Sequence, residues 1–84
     1  MSQIIRVIIP AYNEEQSIAK VINDIPQIVS EIIVVDNNSN DFTSKEAKIA
    51  GATVIHEKRL GYGYACLKGL EFICNNNYTT DIVG

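Results

Sequence analysis

Short runs of apolar, mostly β-branched residues alternate with stretches of helical periodicity along the whole sequence. The strand-like runs are residues 4–9, 31–35, 53–56 and 80–83. This alternation is typical of βαβ units, in which right-handed crossovers connect parallel strands. The sequence therefore predicts an α/β fold of three αβα layers, with the element order β-α-β-α-β-α-β. A switch in strand order after the third strand predicts a mostly parallel sheet of order 3-2-1-4.

The first predicted helix lies between the first two strands. Its apolar residues recur at helical spacing and are Ile18, Val21, Ile22 and Ile25. Asn13 or Ser17 is available to cap its start, and Pro26 marks its end, because a proline cannot continue the hydrogen-bond ladder of a helix.

Two further helices follow the second and third strands. The second is predicted over residues 43–50, because Thr43 and Glu46 have capping-box spacing and Gly51 suits a left-handed residue after the helix. The third begins near residues 61–64 and ends at residues 75–77. The face predicted to be apolar comprises Cys66, Gly69, Leu70 and Ile73.

Composition excludes several classes of function. The formal net charge is −3 and the basic residues form no cluster, which argues against a nucleic-acid partner. No apolar run approaches the roughly 20 residues that span a bilayer, so we expect no transmembrane segment and a cytoplasmic chain. Cys66 and Cys74 are eight positions apart on one predicted helix, too far for a disulfide, and their spacing does not suit a metal site.

Polar residues follow the first two strands directly. Pro10 to Glu15 follow the first strand, and Asp36 to Asp41 end the second. The carboxyl ends of parallel strands meet at one edge of a sheet, where open α/β folds bind their ligands. The sequence therefore predicts one polar crevice between these two segments.

Two residues of this crevice have alternative interpretations. Tyr12 can lie flat against a planar base, with backbone groups beside Pro10 and Ala11 free to bond the edge of that base, or it can simply cover the end of the sheet. Asp36 can accept hydrogen bonds from a ribose hydroxyl or a base N–H, or it can be a turn residue. Asp41 is explained by a role at the start of the second helix.

The glycines after the third strand do not form a dinucleotide fingerprint. In Gly61-Tyr62-Gly63-Tyr64-Ala65-Cys66, a cysteine replaces the third glycine, and the segment follows the third strand instead of the first. These glycines suit a close backbone approach to a ligand or strand. Lys58 and Arg59 are each available to bind a phosphate or carboxylate or to remain a surface cation, and for Lys58 the surface cation is favoured.

Three segments together resemble the N-terminal half of a family 2 glycosyltransferase of the Rossmann-like GT-A fold. They are residues 7–15, 34–41 and 59–65. The similarity covers essentially the whole chain and is greatest to the dolichyl-phosphate mannose or glucose synthase-like branch. Where members commonly carry Asp-Asp-Gly-Ser, this chain has Asp36-Asn37-Asn38-Ser39, so a second carboxylate is absent and an asparagine replaces a turn glycine.

The resemblance implies a site for the donor nucleotide. The residues that it assigns to this site are Pro10, Ala11, Tyr12, Glu14, Asp36, Asn38, Arg59 and Gly61. It implies transfer of sugar from a UDP- or GDP-sugar to an acceptor such as a polyprenyl phosphate, with the parent enzyme at the inner membrane surface. It assigns no catalytic residue to this chain.

The resemblance also implies a divalent cation. In the family, an Asp-x-Asp motif after the fourth strand binds Mg²⁺ or Mn²⁺ together with the donor diphosphate, and this sequence ends at Gly84 before such a motif. We therefore expect residues 1–84 to be the nucleotide-sugar-binding N-terminal part of a truncated domain that is inactive alone. The alternatives are a non-catalytic nucleotide-binding module and a structural chain that self-associates through an exposed edge strand.

Overall fold

The computed structural model describes residues 4–75 and 81–83. Its elements are β1 (Ile5–Ala11), α1 (Ile18–Asn23), β2 (Glu31–Asp36), α2 (Thr43–Ile49), β3 (Thr53–His56), α3 (Tyr62–Asn75) and β4 (Asp81–Val83). The strands form one parallel sheet in the order β3-β2-β1-β4, and the α/β class is confirmed. Two predicted boundaries, the start of the fourth strand at residue 80 and a helix end beyond residue 75, lie outside the described residues.

The sheet is packed between helices on its two faces. On one face, α1 and α2 cover an apolar cluster of Ala11, Ile18, Ile22, Val34 and Ala47. On the other face, α3 covers a second cluster of Ile8, Ile33, Val35, Ala65 and Ile73. Neighbouring residues of β2 point to opposite faces, so both faces of this central strand are apolar.

Strand β1 continues through the proline that was expected to end it. Pro10 pairs with Val35 and Ala11 pairs with Asp36. Within the described residues, β4 pairs only with the first three residues of β1, so Pro10 has one neighbouring strand. A residue without an N–H is tolerated at such a position, because it leaves no ladder bond unmade. β1 therefore ends at Ala11, two residues later than predicted.

Two helices are shorter than predicted, and the faces of two helices differ from the prediction. α1 ends at Asn23, before the predicted end at Pro26, and it buries Ile18 and Ile22 while Val21 is 44% exposed. α2 ends at Ile49, one residue before the predicted end. In α3, the buried residues are Ala65, Gly69 and Ile73, whereas Leu70 is exposed and Cys66 is half-buried.

Gly69 allows α3 to approach the sheet closely. A Cβ atom at this position would lie 2.7 Å from Cγ2 and 3.0 Å from Cδ1 of Ile8, which is itself buried in the core. These distances are shorter than carbon atoms tolerate without displacement. The glycine therefore sets how near α3 lies to β1.

Candidate functional site

A shallow cleft lies at the carboxyl end of β1. Its volume is about 200 Å³, and it is lined by Pro10, Ala11, Tyr12, Glu14, Asn37 and Tyr62. The tyrosines at positions 12 and 62 are 46% and 67% exposed, so both rings are accessible to a ligand. Four of the eight predicted site residues thus line one cleft, together with two that the sequence analysis did not assign to the site.

The turn after β1 is fixed to the loop after β2 through Asn13. Its backbone N–H donates to Ser39 Oγ at 2.9 Å, and its Oδ1 accepts from Asn40 N–H at 2.8 Å. Asn13 has a φ of 52°, a left-handed conformation that asparagine adopts more readily than most residues. Asn13 is therefore not the cap of α1. The alternative cap, Ser17, is at the N-cap position, but its hydroxyl donates to Glu14 Oε2 instead of capping the helix.

The start of α2 holds the same turn from the other side. Glu14 N–H donates to Thr43 Oγ1 at 2.8 Å, and Glu15 N–H donates to Asp41 Oδ2 at 3.3 Å. Asp41 Oδ1 accepts from both the N–H and the hydroxyl of Thr43. The predicted capping box is wrong, because Phe42 is the N-cap residue and the Thr43 hydroxyl is bonded to Glu14 and Asp41. Burial of the Asp41 carboxylate acts to raise its pKa, but these hydrogen bonds outweigh that effect and lower it.

Asp36 lies at the end of β2 and is only 4% exposed. Its Oδ1 accepts from Ser39 N–H at 3.0 Å, and its Oδ2 accepts from Ser44 Oγ. The Ser44 oxygen is also 3.0 Å from Nε2 of His56, the residue paired with Asp36 in β3. The bond to Ser39 is the one expected of a turn residue. A contact of Asp36 with a base or ribose stays a prediction, because it does not line the cleft.

The carbonyl of Ala11 already accepts one hydrogen bond within the protein. Its donor is the Asn37 backbone N–H at 2.8 Å, and this bond extends the β1–β2 ladder by one, because β1 and β2 stay paired to their last residues. A carbonyl oxygen has two lone pairs, so one of them remains for a ligand. The expectation of free backbone groups beside Pro10 and Ala11 stays a prediction.

Residues 57–61 connect β3 to α3, and an ion pair lies within them. Arg59 Nη2 and Nε donate to the two carboxylate oxygens of Glu57 at 2.8 and 3.2 Å, and Arg59 N–H adds a bond of 2.9 Å. These hydrogen bonds lower the pKa of Glu57 to about 2, and the bond to Glu57 raises the pKa of Arg59. The guanidinium also lies 4.5 Å from the ring centre of Tyr64. Two donor groups of Arg59 are thus already bonded within the protein.

Asn37 is the main residue that the sequence analysis left out of the site. It is 6% exposed, and its Nδ2 donates to the carbonyl oxygens of Glu57 and Arg59 at 3.2 and 2.6 Å. Its Oδ1 accepts from Gly61 N–H at 2.9 Å. One feature of the sequence indicated that Asn37 belongs to the site. It directly follows Asp36, at the position where the family that this chain resembles carries a second carboxylate.

The other four predicted site residues do not line the cleft, and they are Asp36, Asn38, Arg59 and Gly61. Asn38 has a φ of 66°, which accounts for the glycine that the resembling family carries at this turn. Gly61 has a φ of 137° and meets Asn37 through its N–H. Lys58 is exposed, as expected of a surface cation. Tyr62 lines the cleft, and its hydrogen bond with Cys66 raises its pKa.

The described residues do not fit a metal site. Across residues 4–75 and 81–83, no group of three or more histidine, cysteine or acidic side chains is placed to hold a metal ion. Within the same ranges, no helix is long and apolar enough to cross a membrane. The lining of the cleft carries two tyrosine rings, one carboxylate and one amide.

The sequence is similar to known glycosyltransferases. Residues 6–79 match the profile described as Glycosyl transferase family 2. Protein RfbJ of Shigella flexneri is 56% identical over 52 residues, which cover 60% of this chain and 40% of that protein. An uncharacterized glycosyltransferase of Rickettsia typhi is 43% identical over 70 residues, which cover 83% of this chain and 24% of that protein. The chain thus matches less than half of the length of either relative.

A solved structure has a similar fold over most of this chain. Glucosyl-3-phosphoglycerate synthase from Mycobacterium tuberculosis, in complex with Mn²⁺, UDP-glucose and phosphoglyceric acid, superposes with a TM-score of 0.73. The two sequences are 35% identical, and the match covers 81% of this chain and 28% of the synthase chain. The likeness therefore extends to sequence as well as fold.

Proposed function

The chain belongs to glycosyl transferase family 2, and on this basis we propose that its cleft binds the nucleotide of a nucleotide-sugar donor. The observation that carries the proposal is the cleft itself. Pro10, Ala11, Tyr12 and Glu14, which follow one another at the end of β1, line it together with Asn37 from the end of β2. The carboxyl ends of adjacent parallel strands are where α/β folds bind nucleotides.

Four side chains have roles in the proposal, two that line the cleft and two that do not. The exposed ring of Tyr12 stacks on the base, since aromatic rings stack on any planar base. Glu14 accepts a hydrogen bond from the nucleoside with its exposed carboxylate. Ser39 and Ser44 already donate to the two carboxylate oxygens of Asp36. Asp36 therefore bonds the base or ribose through the lone pairs that these two bonds leave unused. Arg59, whose Nη1 has no bond to Glu57, contacts the diphosphate from the loop.

For the whole enzyme we propose transfer of a sugar from a UDP-sugar to an acceptor. UDP is favoured over GDP because the synthase with the matching fold is solved with UDP-glucose. Polyprenyl phosphate stays the proposed acceptor class, as the resemblance to the dolichyl-phosphate branch implies. A divalent cation is proposed for the whole enzyme, as in the Mn²⁺ complex of that synthase. The described residues lack a metal cluster, so no role proposed for them depends on a metal.

The test is a calorimetric titration of the chain with UDP, GDP and AMP, repeated with Tyr12→Ala. We expect UDP to bind more tightly than AMP, and Y12A to weaken UDP binding about tenfold, since a stacked base contributes roughly 1–3 kcal/mol. Phe42→Ala is the matched control, because Phe42 is 64% exposed and does not line the cleft. Equal UDP affinity in Y12A and wild type would contradict the proposed base site.

Two alternatives predict different outcomes. A non-catalytic module binds the nucleotide but, in the full-length parent, releases no UDP from UDP-glucose in the presence of an acceptor. A self-associating chain uses the edge of the sheet next to β4, which pairs with β1 on its other side. Sedimentation velocity tests the second alternative, because self-association through an edge strand gives a dimer fraction that rises with concentration.

A further inference from the structure

The connection between β3 and α3 is fixed by two buried side chains. Asn37 and Glu57 are 6% and 7% exposed, and between them they bond the backbone of residues 57, 59 and 61. An asparagine side chain offers two N–H donors and one carbonyl acceptor, and Asn37 uses both kinds of group. Three bonds from one side chain to a five-residue loop leave that loop little freedom.

The last of these bonds fixes the start of α3. Asn37 Oδ1 accepts from Gly61 N–H, and the Gly61 carbonyl in turn accepts the Ala65 N–H at 3.2 Å as the first bond of the helix. Tyr62 is the next residue, the first of α3, and its side chain lines the cleft. Asn37 is thus connected to Tyr62 through one hydrogen bond and one peptide unit.

We propose that Asn37 is a positioning residue for the nucleotide site, which holds residues 57–61 so that Tyr62 forms the α3 wall of the cleft. The proposal rests on the proposed function of that cleft. It assigns the amide a task that a carboxylate cannot perform. An aspartate at this position has no N–H to donate, and its charged oxygens would face the carbonyl oxygens of Glu57 and Arg59.

The decisive variant is therefore Asn37→Asp, which introduces the carboxylate that the resembling family carries. If Asn37 positions Tyr62, N37D weakens UDP binding about tenfold, because the carbonyl oxygens of Glu57 and Arg59 lose their shared donor. Asn40→Asp is the matched control, since it makes the same chemical change in the same loop. Asn40 is exposed, and it contacts Asn13 through its backbone N–H. We expect N40D to bind UDP as wild type does.

A double-mutant cycle separates positioning from direct contact with the ligand. UDP affinity is measured for wild type, N37D, Tyr62→Ala and the double variant. If Asn37 acts through Tyr62, the double variant binds no more weakly than Y62A alone. Losses that multiply in the double variant would show that Asn37 acts independently of Tyr62 and would overturn the proposal. UDP binding by N37D as tight as wild type would overturn it as well.

A second measurement needs no nucleotide. Amide hydrogen exchange of the unliganded chain should be faster in N37D than in wild type at Gly61 and Ala65, and unchanged in N40D. Unchanged exchange at these two amides would overturn the positioning role even where UDP still binds.

Failure of wild type to bind any nucleotide would overturn the proposed function and this role with it. If N37D does not fold, Asn37→Ser, which keeps one donor, replaces it with the same expected direction.

Discussion

Asp36, Asn37 and Glu57 are almost completely buried. Asp36 bonds Ser44, Asn37 bonds the backbone of residues 57, 59 and 61, and Glu57 bonds Arg59. The sequence indicated Asp36, because an acid at the end of a strand is informative. It did not indicate Asn37 or Glu57, since a sequence shows that an amide or acid follows a strand but not which carbonyls fold back onto it. Only the fold shows that these side chains are buried and which groups they bond. These two properties distinguish them from the exposed asparagines nearby in the sequence.

Glu57 makes stability depend on pH in an acidic window. Its carboxylate is stabilised by Arg59, with a pKa of about 2 against an ordinary value of 4.5. A depressed pKa means that the ionised group stabilises the fold fully above about pH 4.5, and that this contribution is lost as pH falls towards 2. The free energy of unfolding of wild type should therefore fall more steeply than that of Glu57→Gln across this window, as measured by urea denaturation.

A difference in the free energy of unfolding between wild type and E57Q that stays constant with pH would contradict this prediction. If wild type and E57Q lose stability in parallel from pH 4.5 to pH 2, the ion pair with Arg59 does not hold Glu57 ionised. Arg59→Met offers an independent check, because removing the guanidinium should shift the acid sensitivity of the protein towards the ordinary pKa of a glutamate.

Gly69 is the residue whose replacement we expect to be most costly in α3. An alanine Cβ would lie 2.7 Å from Ile8 Cγ2, so Gly69→Ala should destabilise the fold by about 1–3 kcal/mol through overpacking. Gly63→Ala is the matched control, because nothing lies within 4 Å of a Cβ there, and it should stabilise by about 0.4–1 kcal/mol. Thermal denaturation of both variants checks the pair, and equal effects of one sign would refute the close approach of α3 to β1.

Secondary-structure elements were predicted in number, type and order, because periodicity reports which residues face an apolar layer. Their boundaries and faces were less accurate. β1 continues through Pro10, since its pairing with β2 persists, and α1 ends before Ile25. The buried face of α3 includes Gly69 and Ile73, as predicted, but Ala65 instead of Cys66 and Leu70. The reason is that close packing on β1 favours small residues.

The junction between α2 and the turn after β1 depends on one hydroxyl. Thr43 is fully buried, and its Oγ1 accepts from Glu14 N–H at 2.8 Å and bonds Asp41. Thr43→Val keeps the shape but leaves the Glu14 N–H without its acceptor and removes one of the donors to Asp41, so we expect a loss of about 1–3 kcal/mol in the free energy of unfolding. Amide exchange at Glu14 should become faster in T43V and not in Thr43→Ser, which keeps the hydroxyl. Protection of Glu14 in T43V would contradict this account.

At the scale of the whole molecule, a parallel sheet brings two distant polar segments to one edge, and this was predictable from the strand order alone. The cleft could be located from the sequence through Pro10 to Glu14, but its α3 wall could not. Tyr62 reaches the cleft because Asn37, at the end of β2, holds residues 57–61 through bonds to residues 59 and 61. Such tertiary hydrogen bonds leave no periodic pattern in a sequence.

The central claim is that this cleft holds a nucleotide, and backbone amide NMR during a UDP titration tests it most directly. The account predicts saturable chemical-shift changes concentrated at Ala11, Tyr12, Glu14, Asn37 and Tyr62, the residues that line the cleft. Amides on the outer surfaces of α1 and α2 should not shift. Absence of any saturable change, or changes confined to residues outside the cleft, would contradict the account.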